Sequence, residues 1–313
     1  MMRAFRFAVM ALAAANGCAR AQMAAAPDTT LKVTSRLVDV TAVVRAKNGD
    51  AMRGLTKDDF VLKQDGREQV VQYFSAGEDE ALSIAVLVDV SGSLRSSLRA
   101  EERATAAFFD VMLHRPQDRA MLVQFDERIL QLKALTDDVG QLHAALDEVR
   151  SDDATNRHTR LIDAIGAVSE DVLNKSTGRK VIVVLTDGED EGSRRSWTYA
   201  VEQAQRANAS VYGVHYSDWL GAIRSGPHSD PGVDPGAALL KKFAEGTGGR
   251  VFEVGPALSV EKIYAEIEKD LQTQYVMGYV PPAETKPGAV HKLSVTTKAH
   301  GARVLARDSF YAP

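Results

Sequence analysis

Five apolar residues in a row, Ile84-Ala85-Val86-Leu87-Val88, run straight into Asp89-Val90-Ser91-Gly92-Ser93. A short, unbroken, β-branched run reads as a strand covered on both faces, which is the habit of parallel sheets. A second such run, Val181-Ile182-Val183-Val184-Leu185, ends in Thr186-Asp187-Gly188. Further strand patterns lie at 120–125, 129–132, 210–216 and 250–254. Helical patterns lie between them at 97–113, 139–149, 159–173, 197–207, 236–245 and 259–273. Such alternation builds an α/β domain, with a doubly wound, mostly parallel sheet and helices on both faces.

Ligands of open α/β sheets bind beyond the carboxyl ends of the strands. There the first run offers one carboxylate and two hydroxyls, at Asp89, Ser91 and Ser93, spaced two apart. Three hard oxygen donors suit a small hard cation such as Mg²⁺ or Mn²⁺. The same residue types also cap helices, so a strand followed by a helix N-cap is the plainer reading of these three alone. Two more donors are expected on the same edge. Thr159 opens a helical pattern, and Asp187 closes the second strand.

Together these residues resemble the metal-ion-dependent adhesion site of the von Willebrand factor type A domain. That site combines D-x-S-x-S, a later Thr and a later Asp that usually stands before Gly. All five positions are filled, by Asp89, Ser91, Ser93, Thr159 and Asp187. The resemblance covers about residues 81–274 and implies a Rossmann-like sheet with 129–132 as a short antiparallel edge. It implies a divalent ion held directly by Ser91 and Ser93 and by two or three of the others, partly through water. One position would stay open for an Asp or Glu carboxylate of a partner protein. Asn156-Arg157-His158 precede the threonine where the family often has small residues, which bears on loop shape and ligand preference. Asp163 is expected to be a structural carboxylate directed toward the sheet, and Glu189, Asp190 and Glu191 a solvated loop. Specificity would come from the loops at 151–158, 187–193 and 217–235.

Outside this region the pattern is β. Residues 31–44 alternate, Asn48-Gly49 and Asp65-Gly66 are turn signals, and 69–74 reads as extended. Strand patterns return at 274–280, 292–297 and 303–307. Neither flank offers enough strands to hold a core. Residues 31–76 and 274–313 are therefore expected to pack as one small all-β domain, with 81–273 inserted in it. Elements at 54–60 and 275–279 resemble exported bacterial proteins that carry a type A-related domain.

The amino terminus carries Arg3 and Arg6, an apolar run at 7–15 and Ala19-Arg20-Ala21. These features predict a signal peptide over 1–21 and a mature protein beginning at Gln22, exported to the periplasm, envelope or medium. The lone cysteine, Cys18, lies within this leader. It leaves a lipoprotein as the alternative, although Ala15-Asn16-Gly17 is a poor lipobox. Without the leader, net charge falls from −4 to −7. No basic run appears, which argues against nucleic acid, and no later stretch is long enough to span a bilayer.

No G-x-S-x-G, P-loop or H-E-x-x-H motif is present, and the seven histidines, His158 and His215 among them, are scattered and read as surface or loop residues. The chain therefore reads as a binding module rather than an enzyme. Two rivals differ in kind. One is an envelope assembly factor that needs the fold but no metal. The other is a metal-dependent hydrolase, for which His158 or Glu189 would have to serve as base.

Overall fold

The computed structural model of the chain describes residues 37–76, 80–92, 98–151, 158–216 and 234–312. The leader expected at 1–21 lies outside them, as do Ser93 and most of the loops at 151–158 and 217–235.

The first strands are β1 (Val38–Arg45), β2 (Phe60–Gln64), β3 (Arg67–Glu68) and β4 (Tyr73–Ala76). A central region follows with β5 (Leu82–Asp89), α1 (Leu98–Met112), β6 (Arg119–Phe125), β7 (Ile129–Thr136), α2 (Val139–Leu146) and α3 (Leu161–Ala167). It continues through β8 (Arg179–Thr186), α4 (Trp197–Arg206), β9 (Ala209–His215), α5 (Pro235–Thr247), β10 (Val251–Glu253) and α6 (Val260–Gln272). The chain closes with β11 (Tyr275–Tyr279), β12 (Val290–Thr297), β13 (Arg303–Ala306) and β14 (Ser309–Tyr311).

The central strands form one sheet in the order β10-β9-β8-β5-β6-β7. All neighbours are parallel except β7, which runs antiparallel at the edge. Each apolar run is continuous because both of its faces are covered. Ile84, Val86 and Val88 pack with Phe109 of α1, Leu142 of α2 and Ile267 of α6. Ala85 and Leu87 pack on the other side with Ile165 of α3, Ala204 of α4 and Phe243 of α5. Burying each larger side chain contributes about 1.5–3 kcal/mol. After β5 the chain lays β6 and β7 on one side, then crosses to build β8, β9 and β10 on the other. β5 and β8 therefore flank the point where the winding reverses, where a crevice opens beyond the strand ends.

The remaining strands make two four-stranded sheets, β13-β1-β11-β4 and β14-β12-β2-β3. Each mixes strands from before and after the central region. Val40 pairs with Met277, and Leu62 with Val295. Phe60 and Tyr275 stack in a tilted contact with centroids 5.2 Å apart, and the Tyr275 hydroxyl donates to the Met52 carbonyl (2.8 Å). Residues 69–74 are not one strand. Arg67–Glu68 pairs with β2 in one sheet and Tyr73–Ala76 with β11 in the other, so the residues between them cross from sheet to sheet. Arg45 of β1 bridges to Asp270 of α6, which Arg250 also holds at 3.1 Å.

Among the described residues, the two cores of the central sheet and the two clusters of the β sheets share no buried residue. We propose on that basis that residues 81–273 fold alone, whereas 31–76 needs 274–313. Expressed by itself, 81–273 is expected to unfold in one cooperative transition. An unfolded 81–273 beside a folded 31–76 would overturn this division.

Candidate metal centre

Asp89 ends β5 and Thr186 ends β8. The two stand side by side because Val88 pairs with Leu185. Asp89 is fully buried. Its Oδ1 accepts from the Ser91 N–H (2.9 Å) and its Oδ2 from the Thr186 hydroxyl (2.6 Å). The Thr186 oxygen accepts in turn from the Gly188 N–H (3.0 Å). Burial pushes the Asp89 carboxyl up to about 7. The Thr186 hydrogen bond pulls it back, the Asp187 carboxylate pushes it further up, and hydrogen bonds from Ser91 pull it down again. Among the described residues, the groups acting most strongly on Asp89 thus include no base. A buried carboxylate needs a compensating charge to ionise cheaply, and a cation at this edge would supply one.

Asp187 follows β8 directly and is half-buried, with Oδ1 accepting from the Glu189 N–H (3.1 Å). Gly188 holds φ at +80°, and Gly236 at the start of α5 lies so close that a Cβ on Gly188 would stand 2.5 Å from its carbonyl carbon. Only glycine allows that turn and that approach. Thr159 is buried, and its carbonyl accepts from the N–H groups of Glu191 (3.2 Å) and Gly192 (3.0 Å). The next amide, Arg160 N–H, donates to the carbonyl of Asp126 just past β6 (2.9 Å). The Thr159 segment is thereby pinned between the end of β6 and the loop after Asp187. Asp89, Ser91, Thr159 and Asp187 come from three chain segments tied to one edge of the sheet, with Asp89 at the end of β5 and Asp187 just past the end of β8, the strands that flank the switch point.

Among the described residues, no three His, Cys, Asp or Glu side chains gather closely enough to hold a metal ion. A metal at this edge would therefore depend on hydroxyls beside the two carboxylates. That all-oxygen donor set fits a hard divalent ion such as Mg²⁺ or Mn²⁺ and not a soft one.

Asp163 is a structural carboxylate as expected, and it accepts from the N–H groups of Arg194 (3.0 Å) and Arg195 (3.1 Å) in the segment that leads into α4. Other supporting residues differ from expectation. Asp190 is no solvated loop residue. Its Oδ1 accepts from the Ile162 N–H (3.0 Å) and the Ser193 hydroxyl (2.6 Å), so it satisfies a free amide in the first turn of α3. Glu189, Glu191 and His158 are exposed. His215 is neither a surface nor a loop residue, since it ends β9 and is fully buried. Thr186 and Asp126 carry no family motif. Their signal was position alone, at or just past the end of an apolar run.

Residues 84–189 match the family model of the von Willebrand factor type A domain, from within β5 to two residues past Asp187. A comparison with curated proteins gives no match. Solved structures similar to this chain include an aerotolerance-related membrane protein from Bacteroides fragilis, at 14% identity over 61% of this chain and 98% of that one, TM-score 0.46. A von Willebrand factor type A protein from Catenulispora acidiphila is 13% identical over 90% of this chain and 75% of that one, TM-score 0.48. Proximal thread matrix protein 1 from the mussel byssus, with a zinc-occupied MIDAS motif, is 14% identical over 65% of this chain and 48% of that one, TM-score 0.49.

Proposed function

We propose that the von Willebrand factor type A domain this chain contains is a divalent-metal-dependent protein-binding module of an exported protein. Asp89, Ser91, Ser93, Thr159 and Asp187 would hold Mg²⁺ or Mn²⁺. The ion would supply a Lewis-acidic centre whose open position an Asp or Glu carboxylate of a partner protein completes. The observation that carries the reading is Asp89, a carboxylate buried at the switch point with hydroxyls, an amide and a second carboxylate around it and, among the described residues, no base acting strongly on it. Type A domains are protein-interaction modules, which supports binding rather than catalysis.

The leader expected at 1–21 supports export, and no helix among the described residues is long and apolar enough to cross a membrane. Edman sequencing of the native protein is expected to read from Gln22. A sequence beginning at Met1 would refute export, and a lipidated Cys18 would select the lipoprotein form. For the function itself, the full chain is expected to retain a partner from envelope extract in Mg²⁺ and release it in EDTA, and the Asp187→Ala protein is expected to retain none. Retention that is undiminished both in EDTA and in the Asp187→Ala protein would favour a metal-independent assembly factor.

A further inference from the structure

We infer that His215 is a positioning residue of the metal centre, which holds the main chain of Asp187 so that its carboxylate addresses the ion. The inference rests on the metal-binding reading of Asp187. His215 ends β9 between two neighbours, Thr186 of β8 and Glu253 of β10. Its imidazole is fully buried, and each ring nitrogen has a partner. Nε2 lies 2.9 Å from the Asp187 carbonyl oxygen. A carbonyl only accepts, so Nε2–H is the donor. Nδ1 lies 2.9 Å from Glu253 Oε1, and Asp234 Oδ2 stands 3.6 Å from Nε2. Asp234 is itself fixed as the N-cap of α5, with Oδ1 accepting from Gly236 N–H (2.8 Å) and Ala237 N–H (3.1 Å).

One ring thus joins the ends of β8, β9 and β10 and the start of α5. The carbonyl it grips is enclosed on a second side, because a Cβ on Gly236 would fall 2.1 Å from that same oxygen. A carbonyl at an ordinary strand end is solvated and leaves the following turn free. Here the peptide that joins Asp187 to Gly188 has one orientation, and the direction of the Asp187 side chain follows from it. Outer partners of metal ligands act in this way, and losing one commonly weakens metal affinity 10–100-fold.

A buried histidine that merely fills space makes a different prediction, and two substitutions separate the cases. The amide nitrogen of Gln reaches the Nε2 position and can still donate to Asp187. That of Asn stops at the Nδ1 position and cannot. Mg²⁺ affinity of the full chain is read by calorimetry for wild type, His215→Gln and His215→Asn, with melting in EDTA measured alongside. The expected result is a 10–100-fold loss in His215→Asn, recovery to within about threefold of wild type in His215→Gln, and equal melting of the two variants in EDTA. Equal affinities in the two variants, whether both are kept or both are lost, would overturn the inference. Should His215→Asn fail to fold, Glu253→Ala removes the ring's outer anchor at an exposed carboxylate. A loss of threefold or more supports the inference, and unchanged binding overturns it. A wild type that binds no Mg²⁺ removes the metal reading itself, a failure visible before any variant is made.

Discussion

With divalent ions removed, the Asp89→Asn protein is expected to be more stable than wild type at pH 8. Asp89 is fully buried, and its carboxyl sits at about 7 against an ordinary 3.8. A group whose pKa is raised on folding favours the folded state when protonated. Its contribution is complete below about pH 4 and is lost as pH rises through about 7. Each pH unit in that window is worth up to about 1.4 kcal/mol. Wild type should therefore lose on the order of 2–4 kcal/mol between pH 4 and pH 8 through this residue alone. Asn carries no charge and keeps both contacts in kind. Its carbonyl accepts from Ser91 N–H, and its NH₂ meets a Thr186 oxygen with a second lone pair to offer. Urea unfolding in EDTA at pH 5 and pH 8 reads the difference. Saturating Mg²⁺ should reverse the ranking, since ligand at 1,000 times Kd adds about 4.1 kcal/mol to the form that binds it. An Asp89→Asn protein less stable than wild type at both pH values would mean that the buried charge is already compensated.

Gly188→Ala is expected to cost on the order of 2–4 kcal/mol and to weaken metal binding with it. The positive φ of +80° penalises any side chain by about 1 kcal/mol. The added methyl would also meet Gly236 backbone at 2.5 Å, which α5 must yield to, at about 1–3 kcal/mol more. Gly66→Ala is the control. Gly66 has φ of +81° but nothing within 4 Å of its missing Cβ, so it should bear only the first cost, about 1 kcal/mol. Equal destabilisation of the two proteins, measured by urea unfolding, would show that the closeness of α5 to the Asp187 turn does not matter.

The α/β architecture was legible because its signal is one-dimensional. A strand covered on both faces must be apolar throughout, and Ile84-Ala85-Val86-Leu87-Val88 and its counterpart at 181–185 are. The carboxylates at the ends of those runs were legible for the same reason, since a charge that closes an apolar run stands out. What surrounds them was not. Thr186, Asp126 and Asp190 are residue types common at any strand end or cap, and their roles depend on which strand lies beside which. His215 was misread because its neighbours in sequence are unremarkable, whereas its partners Asp187 and Glu253 lie on strands β8 and β10 to either side. The stretch at 69–74 was misread because alternation does not reveal that a chain leaves one sheet for another. Register and sheet membership are settled by packing between distant segments, as when Leu62 meets Val295.

Calorimetric titration of the purified full chain with Mg²⁺ and with Mn²⁺, beside the Asp89→Ala protein, addresses the central claim most directly. The account predicts one divalent ion per chain in wild type and at least a hundredfold loss in Asp89→Ala. No binding in wild type, or stoichiometric binding retained in Asp89→Ala, would contradict it.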